Sequence, residues 1–153
     1  MKTSVEELLE RLGVRYRVIE LRGRALRVED VMKLALSEVE ASEVCKTVML
    51  KGRSGKLYAV MLLGGKRVSL SRVAEEVGEE VRLLSKREME EVGLEPGAVC
   101  PLTVKAELLV DEEVLSKEKV NFSSGHPLRG IEVRTSDLAR TRPFKVAKLA
   151  VEG

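Results

Sequence analysis

The chain has 153 residues, with 27 Lys+Arg against 25 Asp+Glu and a formal charge of +2; this is the length of one domain with its own core, and the charge is far from that of a polybasic nucleic-acid coat. Aromatic residues make up 3% and tryptophan is absent, which argues against a base-stacking platform for single strands. No apolar run is long enough to span a bilayer, and the first residues lack the apolar segment of a signal peptide, so a cytoplasmic protein of one domain, residues 1–153, is expected.

Charged residues form 34% of the sequence, Asn121 is the sole asparagine and glutamine is absent, the compositional lean of thermophile proteins. Cys45 and Cys100 lie far apart with no CxxC or His/Cys cluster, so no metal site is expected. The two read as small buried hydrophobes, with a Cys45–Cys100 disulfide as the minor alternative.

Thr3 and Glu6, like Ser4 and Glu7, have capping-box spacing ahead of the apolar stripe Val5, Leu8, Leu9 and Leu12, and Gly13 stops this first helix. Val14, Tyr16 and Val18 alternate with Arg15 and Arg17 as a half-buried strand. After the turn Arg22-Gly23-Arg24, residues Val28, Val31, Met32 and Ala35 fit a second helix. The apolar runs 44–50 and 57–63 flank the Gly-rich turn 52–55 and predict a central hairpin. Gly64-Gly65 ends it. A helix with Val73, Ala74 and Val77 and a stop at Gly78 follows, then a short strand at 81–84 and a helix opened by the capping box Ser85 and Glu88.

Next comes Glu95-Pro96-Gly97-Ala98-Val99-Cys100-Pro101. The Pro-Gly pair bends the chain, Gly97 allows close backbone approach, and Pro101 fixes φ, so the segment is read as presenting backbone rather than side chains. Strands are expected at 107–111, 119–122 and 130–133, a helical turn from Ser136, and a tail at 144–147 that closes or caps the sheet. Hairpins mixed with helices, without regular βαβ alternation, predict an α+β fold around a mixed, largely antiparallel and barrel-like sheet.

Strand alternation puts Lys46 on one face with Val44, Val48 and Leu50. Lys46 is then either an edge lysine whose stem packs while its ammonium reaches water, or a fixed positive group in a cleft for a carbonyl, ester or phosphate oxygen. His126, the sole histidine, lies in Ser123-Ser124-Gly125-His126-Pro127; it is either a polar loop residue or a donor or proton carrier beside exposed backbone N–H groups. A Gly-x-Ser-x-Gly elbow, a Walker A loop and a dinucleotide glycine fingerprint are absent.

Lys46-Thr47-Val48, Gly64-Gly65-Lys66-Arg67-Val68-Ser69-Leu70, Gly97-Ala98-Val99-Cys100-Pro101, Leu109-Val110-Asp111 and Phe122 to Gly125, in that order, resemble the YbaK / prolyl-tRNA synthetase editing-domain family. The resemblance implies the family's compact α/β barrel-like domain, no cofactor and no metal, and trans-editing: hydrolysis of the ester joining a wrong small amino acid, alanine or cysteine, to proline tRNA. It matches Lys46 to the family's functional lysine and Gly97 and Pro101 to its substrate loop, with His126 a weaker transfer. Glu20-Leu21 stands where some relatives place an aromatic or His, a departure that bears on amino-acid specificity.

On this reading Lys46, Gly125 and His126 serve catalysis, with N–H groups near Gly125 forming an oxyanion site. Thr47 and the loop Gly97, Ala98, Val99, Cys100 and Pro101 hold the aminoacyl group, and Arg22, Arg24 and Arg27 contact tRNA phosphates. Partners would be the 3′ end of mischarged tRNA, with prolyl-tRNA synthetase or an elongation factor beside it. The rival is a non-catalytic module that binds aminoacyl-tRNA, an amino acid or a nucleotide, or an accessory subunit of a synthetase assembly.

Overall fold

A computed structural model of the chain describes residues 2–153. The first helix, α1 (Ser4–Arg11), is N-capped by Thr3, whose amide and hydroxyl both donate to Glu6, at 2.7 and 2.8 Å. Strand β1 (Tyr16–Glu20) and helix α2 (Val28–Leu34) follow, then β2 (Cys45–Gly52) and β3 (Leu57–Leu63), the predicted hairpin. The short strand β4 (Lys66–Val68) precedes α3 (Leu70–Val77), β5 (Val81–Leu83) and α4 (Lys86–Glu91). Beyond the 97–104 segment come β6 (Glu107–Asp111), β7 (Lys119–Ser123), β8 (Arg129–Arg134), α5 (Leu138–Thr141), β9 (Lys145–Ala147) and β10 (Ala150–Glu152).

Three sheets result among the described residues, with strand orders β5-β2-β3-β6-β9, β1-β8-β7 and β10-β4. Their pairings are antiparallel except β3 with β6 and β6 with β9. The α+β architecture and the mixed sheet agree with the sequence reading; a barrel does not form. Closure would require the β9 edge to find another strand, but β9 has three residues, and the chain then turns so that β10 pairs with β4 instead.

The five-stranded sheet is buried on both faces, which is why β3 reads Leu57 to Leu63 without a charged residue. One face sends Cys45, Met49, Ala59, Met61, Leu108 and Val110 into a core shared with α1, β7 and β8. The other sends Leu50, Tyr58, Val60, Leu62 and Leu109 against Val73 of α3 and against Leu149 and Ala150. The buried carboxylate of Asp111 pins the C-terminal segment, its Oδ1 accepting from the amides of Leu149 and Ala150 at 2.8 and 3.0 Å.

A second buried carboxylate ties α1 to β8. Glu6 is 1% exposed and accepts from Arg129 Nε and one terminal nitrogen at 3.3 and 3.0 Å. Burial alone would raise its pKa, but the Arg129 guanidinium and the Thr3 amide and hydroxyl outweigh that, and hold it at about 2 against an ordinary 4.5. A carboxylate depressed on folding stabilises the fold above its unfolded pKa, and the contribution is lost as the pH falls through the folded value. Thermal melts should therefore show wild-type stability falling between pH 4.5 and about 2, by on the order of 3 kcal/mol. Glu6→Gln should melt lower at neutral pH and show a flatter acid limb; an unchanged limb would mean that this pair contributes nothing.

Candidate functional site

The two larger sheets meet at the N-terminal end of β2, where Val44 forms an isolated parallel bridge to Asn121 of β7. A cavity of about 400 Å³ opens there, at the small end of the range, roughly 300–1,000 Å³, usual for small-molecule sites. Ile19 of β1, Val44, and Phe122 of β7 contribute apolar wall, with Lys46 and Thr47 on one side and His126, Pro127 and Arg129 on another. The segment Ala25 to Glu29, leading into α2, lies across it.

Two glycines seat that segment. Gly64 lies against Val28, and a Cβ on Gly97 would come within 2.6 Å of Leu26 Cδ2. Gly97 also has φ +80°, the left-handed region that disfavours other residues. α2 buries no residue of its own, and the chain beyond it returns to the edge of β1 through amides of Arg22 and Leu36 bonded to Leu34 and Glu20. Its predicted apolar stripe is only half-buried, because its neighbour on one side is the cavity rather than packed core.

Lys46 is exposed and makes no ion pair among the described residues. Partial desolvation lowers its pKa from the ordinary 10.5, with no carboxylate to oppose the shift. Thr47 follows it in the wall, and its Oγ1 is buried without a hydrogen-bond partner.

In the 97–101 loop, Gly97 and Val99 line the cavity, whereas Ala98, Cys100 and Pro101 do not. Ala98, Val99, Cys100, Leu102 and Val104 are all buried, so the segment turns backbone outward and side chains inward. It is a series of turns rather than the start of a strand. Arg142 holds it from behind: one terminal nitrogen donates to the carbonyls of Pro101 and Val104 at 3.2 and 2.8 Å, and the other to Ala106 at 2.6 Å. Both cysteines are free and buried; burial pushes the Cys45 thiol up to about 12 and raises that of Cys100 as well.

His126 lines the cavity. Its Nδ1 accepts from the Leu128 amide at 3.1 Å, which leaves Nε2 to carry the proton of the neutral ring. Gly125 has φ +97° and packs beside Cys100 and Ala98; it is outside the lining. Its N–H already donates to Ser123 Oγ at 3.1 Å, and the His126 N–H to Ser124 Oγ at 3.2 Å. The geometry therefore offers no free oxyanion donor at these two amides, contrary to the sequence expectation.

The three arginines read as tRNA contacts separate. Arg27 lines the cavity, Arg24 is paired with Glu95, and Arg22 donates to the Lys33 carbonyl at 2.6 Å. Sequence reasoning missed Arg129, Asn121 and Arg142. Arg129 and Asn121 left a faint signal, an arginine in the Gly125 to Gly130 loop and the sole asparagine of the chain; Arg142 left none. Among the charged lining residues Arg129 is paired with Glu6 and Glu20, and Arg27 and Lys46 outnumber the carboxylate of Glu29, so the mouth favours an anionic ligand. Among the described residues no group of three or more His, Cys, Asp or Glu is placed to hold a metal ion, and no helix is long and apolar enough to cross a membrane.

Comparison with known proteins gives this geometry a context. No curated protein matches the sequence. Among solved structures, a hypothetical protein designated APE2540 is 28% identical and superposes with a TM-score of 0.87, over 96% of this chain and 99% of that one. A provisionally assigned trans-editing enzyme for prolyl-tRNA synthetase is 22% identical with a TM-score of 0.81, over 96% and 94% of the two chains. A scaffold protein used for computational grafting of linear epitopes is 23% identical with a TM-score of 0.80, over 97% and 96%. The last two likenesses speak to the fold alone. The model of the aminoacyl-tRNA editing domain matches residues 25–141, from the strap over the cavity to the end of α5, and the chain belongs to that family.

Proposed function

We propose that the chain is a trans-acting aminoacyl-tRNA deacylase, which hydrolyses the ester between a wrong small amino acid and the 3′ adenosine of a tRNA, with alanine or cysteine on proline tRNA as the substrate. The observation that carries the reading is the ammonium of Lys46, unpaired among the described residues, beside a small cavity in a chain of the editing-domain family.

Lys46 contacts the ester or the terminal phosphate and stabilises the negative charge that grows on oxygen as water attacks the carbonyl carbon. The backbone at Gly97 and Val99 grips the aminoacyl group without selecting its side chain. His126 acts as a donor through Nε2–H, since its Nδ1 is engaged by Leu128. Arg27 meets the phosphate of the incoming strand, since Arg129 is held by Glu6 and Glu20. The adenosine hydroxyl next to the ester assists proton transfer. A cysteinyl substrate has its own thiol as an alternative nucleophile. Prolyl-tRNA synthetase or an elongation factor would be the neighbouring partner in such a cycle.

Deacylation of proline tRNA charged with alanine, cysteine or proline tests the reading. Wild type should release one wrong amino acid selectively. Lys46→Ala should slow that release by about 100-fold or more, while Lys46→Arg, which keeps the charge, retains part of it. An unaltered rate in Lys46→Ala removes the lysine from the mechanism, and charged tRNAs that bind without reacting favour the non-catalytic module. Tightness of tRNA binding should fall steeply with added salt.

Gly97→Ala should raise KM for charged tRNA, because the new Cβ displaces Leu26 from its seat. It should also cost about 1–2 kcal/mol in a melt from the left-handed backbone alone. A variant with wild-type KM would show that the strap does not depend on this glycine.

A further inference from the structure

Gly97 and Val99 bring backbone to the cavity wall, but the segment that carries them has little pairing of its own. Between Gly97 and Ala106 the amides make three backbone bonds, from Ala98 to Glu95 at 3.0 Å, from Val104 to Cys100 at 3.1 Å and from Ala106 to Val104 at 3.1 Å. The N–H groups of Gly97 and Val99 find no backbone acceptor among the described residues. A stretch with so few bonds opens easily, whereas a site that grips its ligand by backbone needs that backbone held to a fraction of an ångström.

The hold comes from one side chain. Arg142 directs its two terminal nitrogens at the carbonyls of Pro101, Val104 and Ala106. It makes no ion pair among the described residues, and burial lowers its pKa with no carboxylate to oppose the shift. A cation desolvated without a counter-charge is unfavourable, so its three bonds are its compensation. Its own stretch of chain is anchored away from the loop: Leu138 is buried, and Arg140 donates to the Leu12 carbonyl at the end of α1 at 2.8 Å. Arg142 does not line the cavity, so it acts on a ligand only through the segment it holds.

We propose that Arg142 is a positioning residue for the aminoacyl group: its guanidinium, fixed to α5 and bonded to three carbonyls of the 97–106 segment, sets the backbone of Gly97 and Val99 in the geometry that receives a charged tRNA end. This rests on the editing reading of the same cavity. The planar fork is essential, because one ammonium cannot reach three acceptors spread along a bent segment. Loss of the fork loosens the loop and weakens the grip on the aminoacyl group, while contacts made to the tRNA by Lys46 and Arg27 remain. The preference for charged over uncharged tRNA is therefore the quantity that Arg142 controls.

The test compares the affinities of proline tRNA carrying a 3′-amide-linked alanyl or cysteinyl group, which cannot be hydrolysed, with that of the uncharged tRNA. Wild type should bind at least one charged form more tightly than the uncharged one. Arg142→Ala should lose about 10-fold or more of that affinity and leave binding of uncharged tRNA unaltered. Arg142→Lys, which keeps the charge without the fork, should lose nearly as much, and carries the comparison if Arg142→Ala does not fold. Hydrogen exchange in the same proteins should quicken at the amides of 97–104 and stay slow in β3; a merely structural role would loosen both.

Wild type that binds charged and uncharged tRNA alike, variants that keep the preference, a loss shared equally by the two tRNAs, or full affinity in Arg142→Lys overturns the inference. Because the readout is binding, it separates from hydrolysis. A preference that depends on Arg142 in a chain that deacylates nothing sinks the proposed function and spares this inference, and deacylation with an unaltered KM in Arg142→Ala does the reverse.

Discussion

The pairing of β2 determines where everything else can sit. One edge of the strand pairs with β3 from Cys45 to Lys51. The other edge is divided: its C-terminal residues Leu50 to Gly52 pair with β5, while Val44, just ahead of the strand, bridges to β7. A strand shared in this way cannot keep both neighbours in one plane, because each follows its own twist. The sheets therefore fork, and the cavity lies in the fork. Lys46 and Thr47 fall at the point of divergence, where β2 has β3 on one side and no full ladder on the other. Their side chains owe their access to the cavity to this topology, and the ladder with β3 holds their backbone rigid.

The walls of the fork are tied from outside by arginines with unlike partners. Arg129 is held by the buried Glu6 and, at 3.6 Å, by Glu20, so α1, β1 and β8 converge on one guanidinium. Arg142 meets only carbonyl oxygens, those of Pro101, Val104 and Ala106. Its planar fork of donors suits three acceptors on one bent segment, which a lysine could not match. The segment 97–104 carries buried apolar side chains but no regular structure, and without such a clamp its carbonyls would be buried unpaired. The loop that presents Gly97 to the cavity is thus positioned by a residue more than forty places along the chain.

Much of the fold was legible in the sequence because local signals agreed with the tertiary outcome. The capping box at Ser85 opened α4, Gly78 closed α3, and the run at 57–63 became the doubly buried β3. Closure of the sheet was misread because it depends on where β9 and β10 find partners, and strands of three residues carry no periodic signal. For the site, Lys46 stood out as a charge on an apolar face and Gly97 as a bend. The Gly125 and His126 amides looked free because sequence does not reveal that Ser123 and Ser124 bond them. Arg129, Asn121 and Arg142 escaped notice because their roles arise from contacts between distant elements.

One pattern joins the two kinds of residue. Three residues that break a local rule lie around one cavity. Lys46 is a charge on a face that turns apolar two residues later, Gly97 has a backbone that no other side chain adopts easily, and Asn121 is an unpaired amide between two core residues. Gly97 and Asn121 each lower stability where an unstrained or apolar alternative was open. Such concessions persist when something outside the fold uses them. That the three meet at one cavity, though they come from a hairpin strand, a loop and a strand of a different sheet, supports the proposed site on physical grounds that do not rely on family membership.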